Sequence, residues 1–236
     1  MTGHIITAVT LDAGNTLLYS DPAPPVIYAR HLSRYGRPVD PDEVAPVFAE
    51  AWAEMQRRSE PGRDRYSAQP GGERAWWGAL VREVVARLDH EAPWEPLLDD
   101  LYRAFASSDV WHPFPETLDT LRELHERGLR LAVISNWDGR LPAILHNLGI
   151  DCWLDALAVS ALEGVEKPAT TIFHRTLERL GASPVEALHV GDSPYEDYQG
   201  AEQAGLSALL LDRRGAFDDD TYERIDSLDA VLDAVT

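Results

Sequence analysis

Two acidic residues and a lone lysine are the side chains of this sequence best suited to chemistry. Asp12 comes directly after the apolar, β-branched stretch 5–11, which predicts a buried strand, and Asp192 follows the apolar stretch 187–191. A carboxylate is ionised near neutral pH, so it can act as a nucleophile without a base, and it also binds Mg²⁺. The plainer interpretation is a turn aspartate that accepts hydrogen bonds from nearby backbone N–H groups.

Lys167 is the single lysine in a chain that has 20 arginines. Lysine presents a compact point charge with rotatable donors, whereas arginine presents a planar fork. A lysine kept where arginine is otherwise preferred indicates a tight site for a carboxylate or a small anion. Chance retention on a solvated loop is the alternative, and Lys167 alone does not decide between them.

The elements that must position these residues alternate between strand and helix after Trp111. Strands are predicted at 129–135, 156–160, 187–191 and 207–211, and helices at 115–127, 139–148, 169–180 and 194–204. This alternation predicts an α/β fold with a doubly wound parallel sheet covered by helices on both faces. Ligands of such sheets bind beyond the carboxyl ends of the strands, where three polar clusters fall: 12–16, Ser135-Asn136 and 191–193.

Residues between Pro24 and Ser108 follow a different pattern. Helical segments are predicted at 25–35, 41–58, 73–89 and 95–107, with a loop at 59–72. No convincing strand interrupts them, so we expect an inserted α-helical domain. Its tryptophans are expected mainly to pack against one another.

Composition excludes several classes of partner. The net charge is −19 and no basic stripe occurs, which argues against nucleic acid or an anionic membrane as a partner. The start of the chain has no basic region and its apolar run ends at Asp12, so we expect no signal peptide, no membrane span and a cytoplasmic location. Cys152 is the only cysteine, which excludes an internal disulfide and a cysteine-based zinc cluster.

Four motifs in order resemble those of the haloacid dehalogenase superfamily. They are Asp12-Ala-Gly-Asn-Thr16, the strand that ends in Ser135-Asn136, the isolated Lys167-Pro168, and the segment GDSPYED that begins at Gly191. The insertion after the first motif resembles the subfamily with a helical type-one cap. The resemblance implies a Rossmann-like core domain formed by 1–20 and 109–236, and a helical cap domain formed by 21–108.

The resemblance also implies a role for each matched residue. Asp12 would be the nucleophile that forms an aspartyl-phosphate, while Ser135, Asn136 and Lys167 would hold the phosphoryl group. Mg²⁺ would be bound by Asp12, the backbone carbonyl of Gly14, Asp192 and Asp197. Two alternatives remain from the residues alone: a Ser-Asn pair after a strand often caps the next helix, and Asp197 is also suited to a helix's first turn.

Gly14 departs from the family pattern. Most phosphatases of the family have a second aspartate there, which protonates the leaving alcohol and then activates water. Its loss could cost on the order of 10²–10⁴ in rate. Glu73 of the insertion is a candidate replacement.

The missing acid keeps other activities open. Haloacid dehalogenases also lack it, but they typically replace the Gly-Asp of the fourth motif, which is retained here as Gly191-Asp192. Phosphonatases of the aldehyde-releasing type need a cap lysine, and the insertion has none. We therefore expect a magnesium-dependent hydrolase of a small phosphate monoester; the alternatives are a non-catalytic phosphate-binding or regulatory protein and a 2-haloacid dehalogenase. The substrate and the oligomeric state remain open.

Overall fold

The structure, a computed structural model, describes residues 5–58, 60, 62–217 and 221–235. The chain divides into two compact units. The first combines Met1–Tyr19 with Pro113–Thr236, and the second is Ser20–His112. The role of the second unit as a cap stays a prediction.

A six-stranded parallel sheet forms the centre of the first unit. The strands of the described chain are β1 (Ala8–Leu11), β2 (Leu18–Ser20), β3 (Trp111–Pro113), β4 (Arg130–Ser135), β5 (Ala156–Val159), β6 (Ala187–Gly191), β7 (Ser207–Leu211) and β8 (Arg224–Ile225). The order across the large sheet is β5-β4-β1-β6-β7-β8, and β2 and β3 form a separate pair. The chain proceeds outward from β1 in one direction and then returns to its other side at β6. The carboxyl end of β1 therefore lies where ligands bind in doubly wound sheets.

Burial on both faces explains why these segments form central strands. Alternate residues of a strand point to opposite faces, and in β4 the pair Leu131 and Val133 is as fully buried as the pair Ala132 and Ile134. A parallel strand covered on both sides is mostly apolar, as β1 and residues 131–134 of β4 are, with Thr10 the polar exception. The predicted Rossmann-like α/β fold is confirmed.

Short amphipathic helices flank the sheet. They are α5 (Thr117–Glu126), α6 (Leu141–Asn147), α7 (Ser160–Glu163), α8 (Thr170–Leu180), α9 (Gly200–Gln203) and α10 (Val231–Ala234), and a π-helix occupies Pro194–Gln199. Helix α8 buries Ile172, Phe173 and Leu177 against the sheet. It ends at Gly181, whose φ of 61° is left-handed and therefore suits glycine.

The second unit contains four helices in its described residues: α1 (Pro24–Leu32), α2 (Pro41–Arg57), α3 (Gly72–Arg87) and α4 (Trp94–Ala104). Helix α2 begins at a capping box in which the Asp40 carboxylate and the Glu43 side chain each accept a backbone N–H bond. Trp76 is 1% exposed and packs edge-on against Tyr66 and Trp52. These aromatic residues form a core of this unit.

The predicted elements match the structure to within about one helical turn at most ends, with three corrections. The first strand begins at Ala8, and Ile5 is 82% exposed. The Thr7 backbone just before it still donates to the Glu186 carbonyl and accepts from the Arg130 N–H. The predicted helix 194–204 is a π-helix followed by a short α-helix. Strands β2, β3 and β8 were not predicted, since two or three residues are too few to show alternation.

Ser59 and Pro61 of the predicted loop 59–72 lie outside the described residues. None of the helices in the described residues combines the length and apolar character that crossing a bilayer requires. Cys152 is an exposed residue of a short 3₁₀ turn.

Candidate active site

The carboxyl ends of three adjacent strands bring the predicted residues together. Asp12 follows β1, Ser135 ends β4, and Asp192 follows β6. Because β1 pairs in parallel with both β4 and β6, these three ends lie side by side. The Asp12 backbone N–H donates to the carbonyl of Val190 over 2.9 Å, which carries the sheet register into the turn.

Lys167 lies at the centre of this cluster although it belongs to the loop before α8. Its side chain is only 1% exposed, and its Nζ atom is 2.7 Å from Oδ1 of Asp12 and 2.5 Å from Oδ1 of Asp197. The lone lysine is therefore a buried cation between two carboxylates. The alternative of a solvated loop lysine is wrong.

Asn136 holds the backbone of Lys167 at two points. Its Oδ1 atom accepts a hydrogen bond from the Lys167 N–H over 2.7 Å, and its Nδ2 atom donates to the Lys167 carbonyl over 2.9 Å. This clamp joins the end of β4 to the lysine loop. The predicted direct phosphate contact of Asn136 stays a prediction.

Ser135 is 2% exposed, and its hydroxyl hydrogen-bonds to the Asp12 carboxylate. The alternative interpretation of Ser135-Asn136 as a helix cap is wrong. Helix α6 begins at Leu141, its N-cap is Arg140, and no side chain caps it.

Asp197 reaches the cluster because of the π-helix and Gly191. The wider π turn is a local irregularity of a kind common at functional sites. A Cβ atom at Gly191 would clash with the Asp197 side chain, so glycine is needed there. The Oδ2 atom of Asp197 accepts a bond from the Ser193 N–H over 2.9 Å, while Oδ1 faces Lys167.

His189 adds a third contact to Asp197. Its ring is fully buried, with Nε2 3.2 Å from Oδ1 of Asp197 and Nδ1 2.8 Å from the Thr10 hydroxyl. Burial lowers the pKa of His189, so the ring is neutral. Because a carboxylate can only accept, we assign the proton to Nε2, which leaves Nδ1 to accept from Thr10. The sequence analysis assigned no role to His189 and missed this contact.

Burial and mutual repulsion shape the protonation of the site. Burial raises the pKa of Asp12 to about 6, with Lys167 opposing the rise and Asp197 adding to it. Burial, reinforced by the charges of Asp12 and Asp197, raises the pKa of Asp192 to about 7.

The other two groups are held in their charged forms. Burial alone would raise the pKa of Asp197, but Lys167 and His189 outweigh burial and hold this pKa well below its usual range. For Lys167 burial acts downward, and the charges of Asp12 and Asp197 outweigh it, so the pKa lies above its ordinary value.

The donor set fits a divalent cation that prefers oxygen. Asp12, Asp192 and Asp197 each offer a carboxylate oxygen, and these atoms lie within 4.8 Å of one another. Among the described residues Lys167 forms ion pairs with Asp12 and Asp197 but not with Asp192. A cation beside Asp192 would offset the repulsion of its carboxylate by those of Asp12 and Asp197. Carboxylates with open positions for water and substrate oxygens are the ligands that Mg²⁺ prefers.

Arg213 fixes the turn that follows Asp12. Its guanidinium donates to the carbonyl of Asn15 over 3.2 Å and to that of Thr16 over 2.9 Å. The same group lies 3.6 Å from the ring centre of Phe114 and pairs with Glu116 at 2.6 Å. Asn15 itself has a left-handed φ of 56°, which asparagine tolerates better than most residues.

Trp137 lies against Gly14, where most related phosphatases would have an aspartate. A Cβ atom built on Gly14 would be 3.3 Å from Cζ3 of Trp137. The sequence did not indicate this contact, because neither residue belongs to a periodic pattern and they are far apart in the chain. Glu73, the candidate replacement acid, accepts a hydrogen bond from the Tyr102 hydroxyl within the helical unit.

Comparison with known proteins identifies the family. A family model described as haloacid dehalogenase-like hydrolase matches residues 6–205. The human haloacid dehalogenase-like hydrolase domain-containing protein 3 is 34% identical over 209 residues, which cover 87% of this chain and 82% of that protein. A glyceraldehyde 3-phosphate phosphatase from Methanothermobacter thermautotrophicus is 40% identical over 105 residues, covering 42% of this chain and 44% of the phosphatase.

Solved structures share the fold at lower sequence identity. The putative hydrolase YfnB from Bacillus subtilis, bound to magnesium, superposes with a TM-score of 0.76 at 16% identity and covers 99% of this chain and 100% of its own. The L-2-haloacid dehalogenase RSc1362 gives a TM-score of 0.72 at 20% identity, covering 98% of this chain and 99% of its own. The sequence match over most of the chain, together with this fold, makes the protein a member of the haloacid dehalogenase-like hydrolases.

Proposed function

We propose that this hydrolase cleaves small phosphate monoesters with the help of Mg²⁺, by way of an aspartyl-phosphate on Asp12. The observation that carries the proposal is the environment of Asp12. Asp12 directly follows a buried central strand and is 8% exposed, and its carboxylate lies 2.7 Å from the only lysine of the chain. The partial sequence match to a glyceraldehyde 3-phosphate phosphatase supports the choice of phosphate chemistry.

Each core residue has a defined task in this proposal. An oxygen of Asp12 attacks phosphorus, for which the carboxylate must be ionised; its pKa of about 6 leaves it charged above neutral pH. Lys167 balances the negative charges of nucleophile and phosphate as they approach. The Ser135 hydroxyl, which contacts Asp12, is available to a phosphoryl oxygen once the substrate is bound.

The remaining residues hold these groups in place. Asn136 fixes the Lys167 backbone, and Asp197 together with His189 fixes the lysine's Nζ atom. Asp12 and Asp192, with the Gly14 carbonyl, would hold the metal ion, and Asp197 is the further candidate ligand. When bound, Mg²⁺ supplies charge neutralisation and orients the phosphoryl group.

The test is phosphate release from p-nitrophenyl phosphate and a panel of metabolite phosphates, with Mg²⁺ or with EDTA. Magnesium-dependent release that Asp12→Asn abolishes is the expected result. Asp119→Asn is the matched control, because it removes the same charge from a side chain that is 75% exposed. Release that survives Asp12→Asn would exclude Asp12 as the nucleophile.

Two other activities are distinguished by the same protein samples. A binding or regulatory protein would release no phosphate, yet Mg²⁺ with a phosphate analogue would raise its melting temperature, because a ligand that binds only the folded state stabilises it. A 2-haloacid dehalogenase would release halide from 2-haloacids in the presence of EDTA.

A further inference from the structure

The space beside Gly14 is occupied by an aromatic ring. Gly14 does not have a left-handed φ, so its backbone accepts a side chain and only its surroundings oppose one. Those surroundings are Cζ3 of Trp137, 3.3 Å from the place of a Cβ atom. Trp137 is partly buried and comes two residues after Ser135, so it is positioned by the same strand end as the phosphate-site serine.

The carboxylates near Gly14 and Trp137 already form hydrogen bonds or ion pairs with other groups. Asp197 accepts bonds from Lys167, His189 and Ser193, and Asp192 accepts one from Asn15. Asp138, the residue after Trp137, is fully buried and paired with Arg140, whose Nε and Nη2 atoms lie 2.8 Å and 2.5 Å from its oxygens. The side chain found against Gly14 is thus an aromatic ring and not one of these acids.

We propose that Trp137 replaces a general acid and thereby restricts the site to phosphorylated compounds whose leaving group departs without a proton. These are acyl phosphates and phosphates of acidic hydroxyl groups such as phenols. The inference rests on the proposed function, because it concerns the leaving group of the same reaction.

The chemistry of the step explains the restriction. An Asp12 oxygen forms a bond to phosphorus while the bond from phosphorus to the leaving oxygen breaks, and the leaving oxygen keeps the electron pair. A carboxylate or an acidic phenolate is stable with that pair at neutral pH. An alkoxide is not, so an alkyl ester needs a proton that the ring cannot give. Water then attacks phosphorus in the aspartyl-phosphate, the electron pair returns to Asp12, and the proton of the water passes to solvent.

The experiment compares kcat/KM for acetyl phosphate, a series of aryl phosphates with phenols of graded acidity, and an alkyl phosphate, all with Mg²⁺. The ratio kcat/KM reports the steps up to departure of the leaving group, so slow hydrolysis of the aspartyl-phosphate does not mask the effect. We expect a steep fall as the leaving group becomes more basic, with the alkyl phosphate lower by on the order of 10²–10⁴. Alkyl and acetyl phosphates cleaved at similar kcat/KM would overturn the inference.

A pair of double variants tests the role of the ring directly. Gly14→Asp with Trp137→Ala supplies an acid and the room for it, whereas Gly14→Asn with Trp137→Ala supplies the same volume without an acid. The ratio of alkyl to acetyl phosphate turnover should rise at least about tenfold in the aspartate variant relative to the asparagine variant. Equal ratios in the two folded variants, as judged by thermal unfolding, would contradict the inference.

The two proposals fail in different ways. No phosphate release from any compound, or release that ignores Asp12→Asn, overturns the proposed function and the inference with it. Release that requires Asp12 but shows no dependence on the leaving group overturns the inference alone.

Discussion

The Nζ atom of Lys167 lies 2.7 Å from Oδ1 of Asp12, and both side chains are almost completely removed from solvent. A buried charge pair is stable only while both partners are present and hydrogen-bonded. The contact to which we assign a role in the reaction of Asp12 is therefore also part of what holds this end of the sheet together.

Two substitutions of Lys167 should distinguish the effect of its charge from the effect of its shape. Lys167→Met leaves two buried carboxylates without their cation and should lower the free energy of unfolding by about 3–5 kcal/mol. Lys167→Arg keeps the charge, but the planar fork does not fit a site that is 1% exposed, so kcat/KM should fall by on the order of 10²–10³. Urea unfolding and p-nitrophenyl phosphate kinetics measure the two effects. Arg122→Met is the exposed control, and an active Lys167→Arg variant would argue against a tight lysine site.

His189 should act through Asp197. His189→Leu removes the Nε2–H donor and should let the Asp197 carboxylate shift, which we expect to lower kcat about tenfold while KM changes little. His189→Gln retains an N–H donor and should recover part of kcat, an outcome that a purely packing role would not produce. Steady-state kinetics of the two variants provide the comparison. A loss confined to KM in both would point instead to a role in substrate binding.

Asn136 offers a choice between positioning and direct contact with phosphate. Its amide makes two hydrogen bonds to the backbone of Lys167, so Asn136→Ala should destabilise the fold by about 1–3 kcal/mol and lower kcat. If Asn136 contacted only the phosphate, Asn136→Ala would raise KM and leave the melting temperature unchanged. Thermal unfolding and kinetics on the same sample distinguish these outcomes.

Asp192 should make the magnesium-free protein less stable as the pH rises. The pKa of Asp192 is about 7 in the folded chain and near 3.9 in an unfolded one. Between these values the folded state holds a proton that the unfolded state lacks, so stability falls from about pH 4 to about pH 7. Asp12, with a folded pKa of about 6, contributes in the same direction.

Substitution of Asp192 tests this linkage. In EDTA, Asp192→Asn should melt above the wild type at pH 8, and the difference should vanish near pH 4. Each kcal/mol of relief corresponds to roughly 2–4 °C in a chain of this size. Addition of Mg²⁺ should raise the melting temperature of the wild type at pH 8 but should not raise that of the variant. A variant that melts lower than the wild type at pH 8 would show that Asp192 stabilises the metal-free fold.

The arrangement of the strand ends could be predicted from sequence because parallel strands deliver their carboxyl ends to one edge. Asp12, Ser135 and Asp192 each follow an apolar strand segment, and that placement needs no long-range information. A site role for Lys167 could be predicted because it is the only lysine of the chain. Its burial could not be predicted, because it depends on the loop that Asn136 holds.

The contacts that the sequence did not predict join residues that are not related by any periodic pattern. Trp137 meets Gly14 across two loops, and no periodicity relates them. His189 left a faint signal: it pairs in register with Thr10, so two polar residues lie side by side within otherwise apolar strands. Adjacent polar residues in a buried sheet need each other as hydrogen-bond partners, and the third partner here is Asp197.

Arg213 lies beyond residue 205, where the match to the family model ends. A chain shortened to the matched segment would keep every acidic residue of the site, but it would lose β7, β8 and the side chain that fixes the Asn15 and Thr16 carbonyls. The match to the family model therefore ends before a side chain that holds the turn after Asp12 in place. For anyone who trims, fuses or transplants this domain, the boundary must lie beyond Arg213 and not at residue 205.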